Sequence, residues 1–409
     1  MKEFFQVTPL ERVLEYTTEF AATGTETVSL AEALDRILAK DVIADQNLPE
    51  FARSVVDGYV VKAASTFGAT ESNPGYLTVK GEVFMGRPPD FAVGPGETAY
   101  IPTGGMLPTG TDSVVMIEHT EKLDDHAIEV FKSVAPGQNV ILAGEDFKES
   151  ETILAAGNRI RPQEAGLLAA FGVRSVPVFN KPRVGIISTG DEIVPIDQTP
   201  SFGQLRDINS YTLSGLVTKS GGIPVMFGIV KDDYESLFTR CSQALEESDA
   251  VLLSGGSSMG TRDLTVEILS RLPHSKILVH GIPISPGKPT ILAQVGGKIF
   301  WGLPGHVVSA MIVFVVVVRP FLESLAGFSQ SRKGAFGIPA KLTRNLASAQ
   351  GRVDYIRVRL LQKEGSLWAD PILGKSGLIH TMVKADGLIA IPMNTEGLDE
   401  GVQVEVFPV

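Results

Sequence analysis

From Pro182 onward the chain alternates two apolar patterns. Short, nearly unbroken runs (RVGII, IPVMFGIV, DAVLL) are separated by NSYTLSGLVTK, DYESLFTRCSQALEES and DLTVEILSRL, in which apolar residues return at helical spacing. The first kind predicts buried strands and the second amphipathic helices. Strand and helix in alternation mean parallel strands joined by crossover helices. Three more runs, ILVHGIPI, PTILAQV and KIFWGL, add strands, and a long helical run follows them. Asn209 stands where a helix cap is expected.

Other textures flank this segment. Thr8-Pro9-Leu10-Glu11 and Ser29-Leu30-Ala31-Glu32 both carry capping-box spacing and predict two helices. From about Asn47 to Asp146 glycine and proline become frequent, and GYLTVKGEVF and ETAYIPTG alternate as strands do. GNRIRPQEAGLLAAFG turns helical again. The pattern predicts a helical domain over 1–46 and 146–181, interrupted by a β-rich insertion at 47–145, and then an α/β domain over 182–328. Such insertions are tolerated because the ends of a domain usually lie close together. The remainder, 329–409, alternates through DYIRVRLLQ, SLWADPIL, GLIAIP and VQVEVFPV, a small all-β domain.

Composition narrows the function classes. The 409 residues are 44% hydrophobic and 20% charged, enough apolar material for several cores. A net charge of −11 argues against a nucleic-acid binder. The charge is uneven: from Phe328 to the end there are 10 Lys and Arg against 8 Asp and Glu, a net of +2, so the rest carries −13. The tail can therefore face an anion. Cys241 is the single cysteine, which excludes an intrachain disulfide, and its helical surroundings make it a packed residue. The six histidines include no pair at i, i+4 spacing, against a zinc site. HVVSAMIVFVVVVRP holds about a dozen apolar residues, short of the roughly 18 a membrane span needs, and reads as a core element. No membrane partner and a cytoplasmic location are the expectation.

In an open parallel sheet ligands collect outside the carboxyl ends of the strands. Five segments at that edge carry chemistry. They are Ser188-Thr189-Gly190-Asp191-Glu192; Lys231-Asp232-Asp233; Ser254-Gly255-Gly256 through Asp263; Ser285-Pro286-Gly287-Lys288-Pro289-Thr290; and Pro304-Gly305-His306. Glycine-rich turns after strands suit phosphate, and Lys288 suits its counter-charge. Glu192, Asp232 and Asp263 offer oxygen ligands for Mg²⁺, which takes few protein carboxylates and keeps room for phosphate and water. SPGKPT is not a P-loop, because Pro289 stands where Ser or Thr should hold the metal. Gly256-Ser257-Ser258-Met259-Gly260 matches the G-x-S-x-G form, and a serine hydrolase using Ser258 with His306 as base is an alternative.

The motifs SVVDGYV (54–60), IPTGGMLPTGTDSVVMIE (101–118), ISTGDEI (187–193), SGGSSMGTRD (254–263), SPGKPT (285–290), WGLPGHVVSA (301–310), GRVDYIRV (351–358) and ADGLIAIP (385–392) occur in this order. On them the chain resembles the molybdopterin molybdenumtransferase (MoeA) family, which includes the E domain of gephyrin. The resemblance implies a helical domain with a β-rich insertion, a three-layer MogA-like α/β domain and a C-terminal β-barrel. It implies Mg²⁺-dependent insertion of molybdate into adenylyl-molybdopterin with release of AMP. Family catalytic residues fall on Asp57, Thr103, Glu192, Asp232 and Asp263, three of which, Glu192, Asp232 and Asp263, are the metal-binding set. Substrate-binding positions fall on Ser188, Thr189, Gly190, Ser254, Gly255, Gly256, Lys288, Pro304 and Gly305, and molybdate-contacting ones on Arg352 and Thr381. The family's Pro-Gly-Asn-Pro loop reads Pro304-Gly305-His306-Val307 here. The resemblance further implies a two-fold homodimer whose sites are shared between subunits, and a molybdopterin adenylyltransferase as the partner that supplies the pterin. A non-catalytic gephyrin-like scaffold and an adenylylating enzyme are the other readings; the first has no need of the acids and Lys288, and the second would consume ATP.

Overall fold

The computed structural model describes residues 7–255, 259–329, 337–363 and 365–409, and the side chains of 256–263 lie outside the description. The chain divides into two compact units. One holds Asp41–Ala155 with Arg161–Ser175; the other holds Met1–Lys40, Ala156–Ile160 and Val176–Val409.

The first unit is built on a six-stranded sheet. Its strands are β1 (Gly58–Val61), β2 (Gly75–Glu82), β3 (Glu97–Ile101), β4 (Ser113–Met116), β5 (Thr120–Lys122) and β6 (Ala127–Val130), in the order β4-β1-β3-β2-β6-β5. Alternation sends Tyr59, Val61 and Val115 to one cluster and Val60, Val114 and Ala99 to another, so both faces of the sheet are covered. The helix Pro162–Ala170 packs Leu167 beside Phe171, Ile153 and Ala44. Proline stands at its first position, and Glu164 accepts from both the Arg161 N–H and the Arg161 guanidinium at 3.0 Å, at the start of a segment that the sequence predicts as helical.

In the second unit the predicted alternation appears as β7 (Arg183–Thr189), α1 (Asn209–Lys219), β8 (Ile223–Val230), α2 (Tyr234–Glu247), β9 (Ala250–Ser254), α3 (Met259–Arg271), β10 (Ser275–His280), β11 (Ile284–Ser285), β12 (Ile291–Val295) and β13 (Lys298–Leu303). The main sheet runs β8-β7-β9-β13-β12-β10. Strands β8, β7, β9 and β13 are parallel, whereas β12 is antiparallel to both of its neighbours. The segments joining β10 to β12 and β12 to β13 contain no crossover helix, so those strands cannot all run the same way. Since β12 reverses between β13 and β10, the carboxyl end of β10 still shares an edge with those of the parallel strands.

Neighbouring residues on one strand reach opposite layers. Ile186, Leu252 and Trp301 pack with Leu213, Val317 and Phe321, while Ile187, Leu253 and Phe300 pack with Leu237, Cys241 and Ile268. This is the three-layer arrangement, with both sheet faces buried. The long apolar run forms a continuous helical stretch, Val307–Leu325, of 19 residues with mean hydropathy 2.0. It is longer than the sequence pattern suggested and meets the length of a membrane span, but it is 67% buried within the protein and supplies Val313, Phe314 and Phe321 to the core.

The C-terminal segment closes a barrel from β14 (Ile338–Leu342), β15 (Val353–Lys363), β16 (Ser366–Pro371), β17 (Gly387–Ile391) and β18 (Gln403–Pro408). The order is β15-β16-β14-β18-β17, and β15 pairs with β17 to complete the circuit. Ile356, Val358, Leu342 and Ile389 fill it. The short strand β11 pairs in parallel with Val353–Asp354, so the loop beyond β10 lies along the barrel.

Two local expectations differ. Of the N-terminal helices, only Leu10–Glu15 forms, and Thr8 does not cap it. Ser29 and Glu32 do make the reciprocal cap, but on one turn of 3-10 helix, Leu30–Glu32. The cap is a local interaction of small free energy and does not extend a helix without a face to bury.

Candidate functional site

Two glycines shape the carboxyl edge. Gly190 follows β7 and Gly255 follows β9, with φ of 153° and 151°. A Cβ on Gly255 would lie 2.3 Å from the Thr189 carbonyl oxygen, and one on Gly190 would lie 3.0 Å from Glu192 Oε2. Bare backbone at both positions lets the two strand ends converge.

Beneath these turns the hydroxyls are already committed. Ser188 Oγ donates to Asp207 Oδ1 at 2.9 Å, and Asp207 also accepts the Ser210 N–H at 3.1 Å. Asp207 therefore does the capping work expected of Asn209. Asn209 instead sends its amide nitrogen to Ser254 Oγ (2.7 Å) and to the Gly305 carbonyl (2.8 Å), tying the end of β9 to the turn after β13. Its Oδ1 is buried with no partner among the described residues. Ser188 and Ser254, read as substrate-binding, are 3% and 1% exposed and serve this internal network. Pro304 is buried beside it, and Lys288 is exposed on the loop between β11 and β12.

The acids gather beside β7 and β8. Thr189 Oγ1 donates to Asp232 Oδ1, and the Asp232 N–H donates to Asp191 Oδ1 at 3.3 Å. Burial pushes the Asp232 carboxyl up, the Thr189 bond opposes it, and the charges of Asp191 and Glu192 push it further up. Negative charge is thus compressed around one half-buried carboxyl. Among the described residues no group of three His, Cys, Asp or Glu is close enough to hold a metal unaided. Asp263 falls within α3, but its side chain, like Gly256 and Ser258, lies outside the described residues.

Along β15 lies a cavity of about 340 Å³ lined by Ser285, Pro286, Arg352, Asp354, Arg357, Gly374 and Ser376, among others. Arg352 Nε pairs with Asp354 Oδ1 at 2.9 Å. Burial pushes the Asp354 carboxyl up, but hydrogen bonds from Ser348 and Ser285 together with Arg352 outweigh it and hold the carboxyl below its ordinary value. That pair is internally neutral. Arg357 is 6% exposed and donates to the carbonyls of Gly374 (2.9 Å) and Ile372 (3.4 Å); among the described residues no carboxylate pairs with it. Burial pulls its pKa down, yet an arginine stays charged. Among the described residues this guanidinium keeps an unneutralised positive charge beside a polar cavity, the kind of charge an anion would neutralise. Thr381, expected to contact molybdate, is fully buried and donates its hydroxyl to Leu378 O at 2.8 Å.

In the other unit the structure brings Asp57 and Thr103 together. The Thr103 N–H and Oγ1 both donate to Asp57 Oδ1, at 2.7 and 2.9 Å, and these bonds hold the Asp57 carboxyl below its ordinary value. Both residues are exposed.

Sequence reasoning passed over Asp207 and Arg357 and read Asn209 only as a helix cap. Arg357 had a signal: it sits at odd parity on a strand whose even positions, Ile356 and Val358, fill the barrel, so its charge points away from that core.

Comparison with known proteins agrees in all three regions. Residues 8–172 match the MoeA N-terminal region (domain I and II), 185–324 the probable molybdopterin binding domain, and 339–409 the MoeA C-terminal region (domain IV). A protein of Methanocaldococcus jannaschii named for molybdopterin biosynthesis is 36% identical over 93% of this chain and 91% of its own length. The molybdopterin molybdenumtransferase of Haemophilus influenzae is 31% identical over 94% of each chain. A crystal structure of the molybdopterin biosynthesis MoeA protein of Pyrococcus horikoshii superposes with a TM-score of 0.84 at 31% identity, covering 99% of this chain and 100% of that one.

Proposed function

Because the chain belongs to the MoeA family of molybdenum-cofactor biosynthesis proteins, we propose that it is a molybdopterin molybdenumtransferase that inserts molybdate into adenylyl-molybdopterin and releases AMP. The observation that carries this reading is the continuity of two kinds of anion site. The glycine turns after β7 and β9 and the Arg357 cavity share one unit, and the loop bearing Lys288 leads from Ser285 and Pro286 at the cavity to β12, which begins at the carboxyl edge of the parallel strands.

The diphosphate lies over the turns at Gly190 and Gly255, where the two strand ends converge, and Lys288 supplies counter-charge. Molybdate, a tetrahedral dianion, occupies the cavity along β15. Arg357 is its principal cation there, since the charge of Arg352 is spent on Asp354. Such a reaction asks the protein mainly for positioning and electrostatics.

Mg²⁺ suits the acid cluster. A divalent cation would relieve the burial and the crowding by Asp191 and Glu192 that raise Asp232, and Mg²⁺ takes few protein carboxylates and completes its shell with substrate phosphate and water. Glu192 and Asp232 would hold it, with Asp263. Bound there, it would neutralise diphosphate charge.

The same proposal includes a homodimer in which Asp57 and Thr103 serve the partner's site. Incubation with adenylyl-molybdopterin, molybdate and Mg²⁺, following AMP, tests the reaction. Lys288→Ala should weaken pterin binding, by on the order of 2–5 kcal/mol if the ligand desolvates that contact. Mixed Asp57→Ala and Asp263→Ala chains test the dimer: after random exchange about a quarter of the sites are intact by symmetry, so recovery of roughly that activity supports sharing. No recovery despite exchange removes it. Tight molybdate binding without any AMP release would point to the scaffold instead.

A further inference from the structure

His306 occupies the position before the helix Val307–Val313, yet its side chain does not cap that helix. Its Nδ1 lies 3.0 Å from Ser376 Oγ, and two residues on, the Val308 N–H donates to the Ser376 carbonyl at 3.0 Å. Ser376 is thus gripped twice by the turn that follows β13. It belongs to the segment beyond β16 that lines the Arg357 cavity, the segment whose carbonyls at Ile372 and Gly374 accept both Arg357 hydrogen bonds. On its other side the same turn is held by Asn209, through Gly305 O.

We propose that His306 is a positioning residue for the oxyanion cavity: through Ser376 it fixes the segment that aims Arg357, and so sets affinity for the tetrahedral anion without touching it. The physical argument is one of order. Residues 372–376 lie in no strand or helix and expose Leu373, Gly374 and Lys375; the Ile372 N–H ties one end to the Arg357 carbonyl at 2.8 Å, and the bonds from His306 and Val308 to Ser376 hold the other. Arg357 hangs from two carbonyls of that segment, and a guanidinium recognises a tetrahedral anion well only when its donor fork is fixed in direction. Releasing the segment lets the fork wander, and the ligand must then bear the ordering cost. The proposal rests on the reading of the cavity as the molybdate site.

The test uses molybdate alone, titrated calorimetrically into the intact protein, and steady-state AMP release beside it. His306→Ala should weaken molybdate about fivefold, the ordinary effect of losing one hydrogen bond. Ser376→Ala should do the same, and the double variant no more than either, because they break one link. The KM for molybdate should rise while that for adenylyl-molybdopterin stays put, and His306→Asn, which keeps a polar side chain able to meet Ser376 Oγ, should recover most of the loss. General destabilisation would instead move both KM values together and would overturn the proposal. Arg357→Gln separates the two levels. If it abolishes molybdate binding while His306→Ala and Ser376→Ala leave it intact, the positioning role is wrong and the cavity reading survives. If Arg357→Gln also leaves binding intact, the cavity reading fails and the proposal with it.

Discussion

Replacing Gly255 by alanine should damage the site from a position that bears no functional group. Its Cβ would stand 2.3 Å from the Thr189 carbonyl oxygen and 2.4 Å from Thr189 Cγ2, roughly 1 Å short of ordinary contact. The strands cannot simply drift apart, because Ser188 and Ser254 are paired partners in one ladder. Overpacking of this kind costs about 1–3 kcal/mol, and holding a non-glycine residue at φ 151° adds about 1–3 kcal/mol. The total is about 2–6 kcal/mol. Gly221→Ala is the control: its φ of 84° carries a comparable backbone cost, but nothing lies within 4 Å of its Cβ. Urea unfolding of both variants isolates the collision as their difference, about 1–3 kcal/mol. AMP release adds a second readout. A displaced Thr189 withdraws its hydroxyl from Asp232, so turnover should fall in Gly255→Ala and persist in Gly221→Ala. Equal urea midpoints with full turnover in both would refute the apposition of the two strand ends.

Asp232→Asn should raise the thermal midpoint of the metal-free protein while abolishing turnover, since it removes the charge that burial, Asp191 and Glu192 disfavour. The sign follows from linkage: a carboxyl raised in the folded state favours folding below its unfolded pKa of about 3.9 and loses that contribution as pH rises through the raised value, so the variant's midpoint should show a flatter decline over that window. Thr103→Ala removes one of the two bonds holding Asp57 down; the Asp57 carboxyl, followed by carbon NMR, should titrate at higher pH, and an unchanged titration would count against the pair. Cys241 is buried with its thiol pushed up to about 12, so thiol reagents should label it only as the protein unfolds.

The fold was legible wherever burial is two-sided or periodic. DAVLL reads as a buried strand and forms Ala250–Ser254, and PQEAGLLAA reads as helical and forms Pro162–Ala170. Legibility failed where a short signal stood alone: Ser29 and Glu32 made their cap without a helix behind it. At the carboxyl edge the turns at Gly190 and Gly255 were legible because few other residues belong directly after a strand. The partners beneath them were not. That Ser188 serves Asp207, or that Asn209 joins Ser254 to Gly305 across about 100 residues of chain, is a matter of tertiary proximity, and one sequence carries no trace of it. The same holds for the division of labour between Arg352 and Arg357, which is decided by where Asp354 lies.

The α/β core borrows from the start of the chain. Val13 and Phe20 belong to its main cluster, Phe20 meets Phe321 edge-on at 5.9 Å, and the Thr8 N–H reaches the Gly281 carbonyl at 2.9 Å. During synthesis these early residues must wait for partners about 300 positions later, roughly 15–60 s at about 5–20 residues per second. For that interval Val13 and Phe20 are bare apolar side chains on a nascent chain, open to holdase chaperones and to neighbouring copies on the same messenger. Translation speed through the α/β segment therefore sets how long Val13 and Phe20 stay vulnerable.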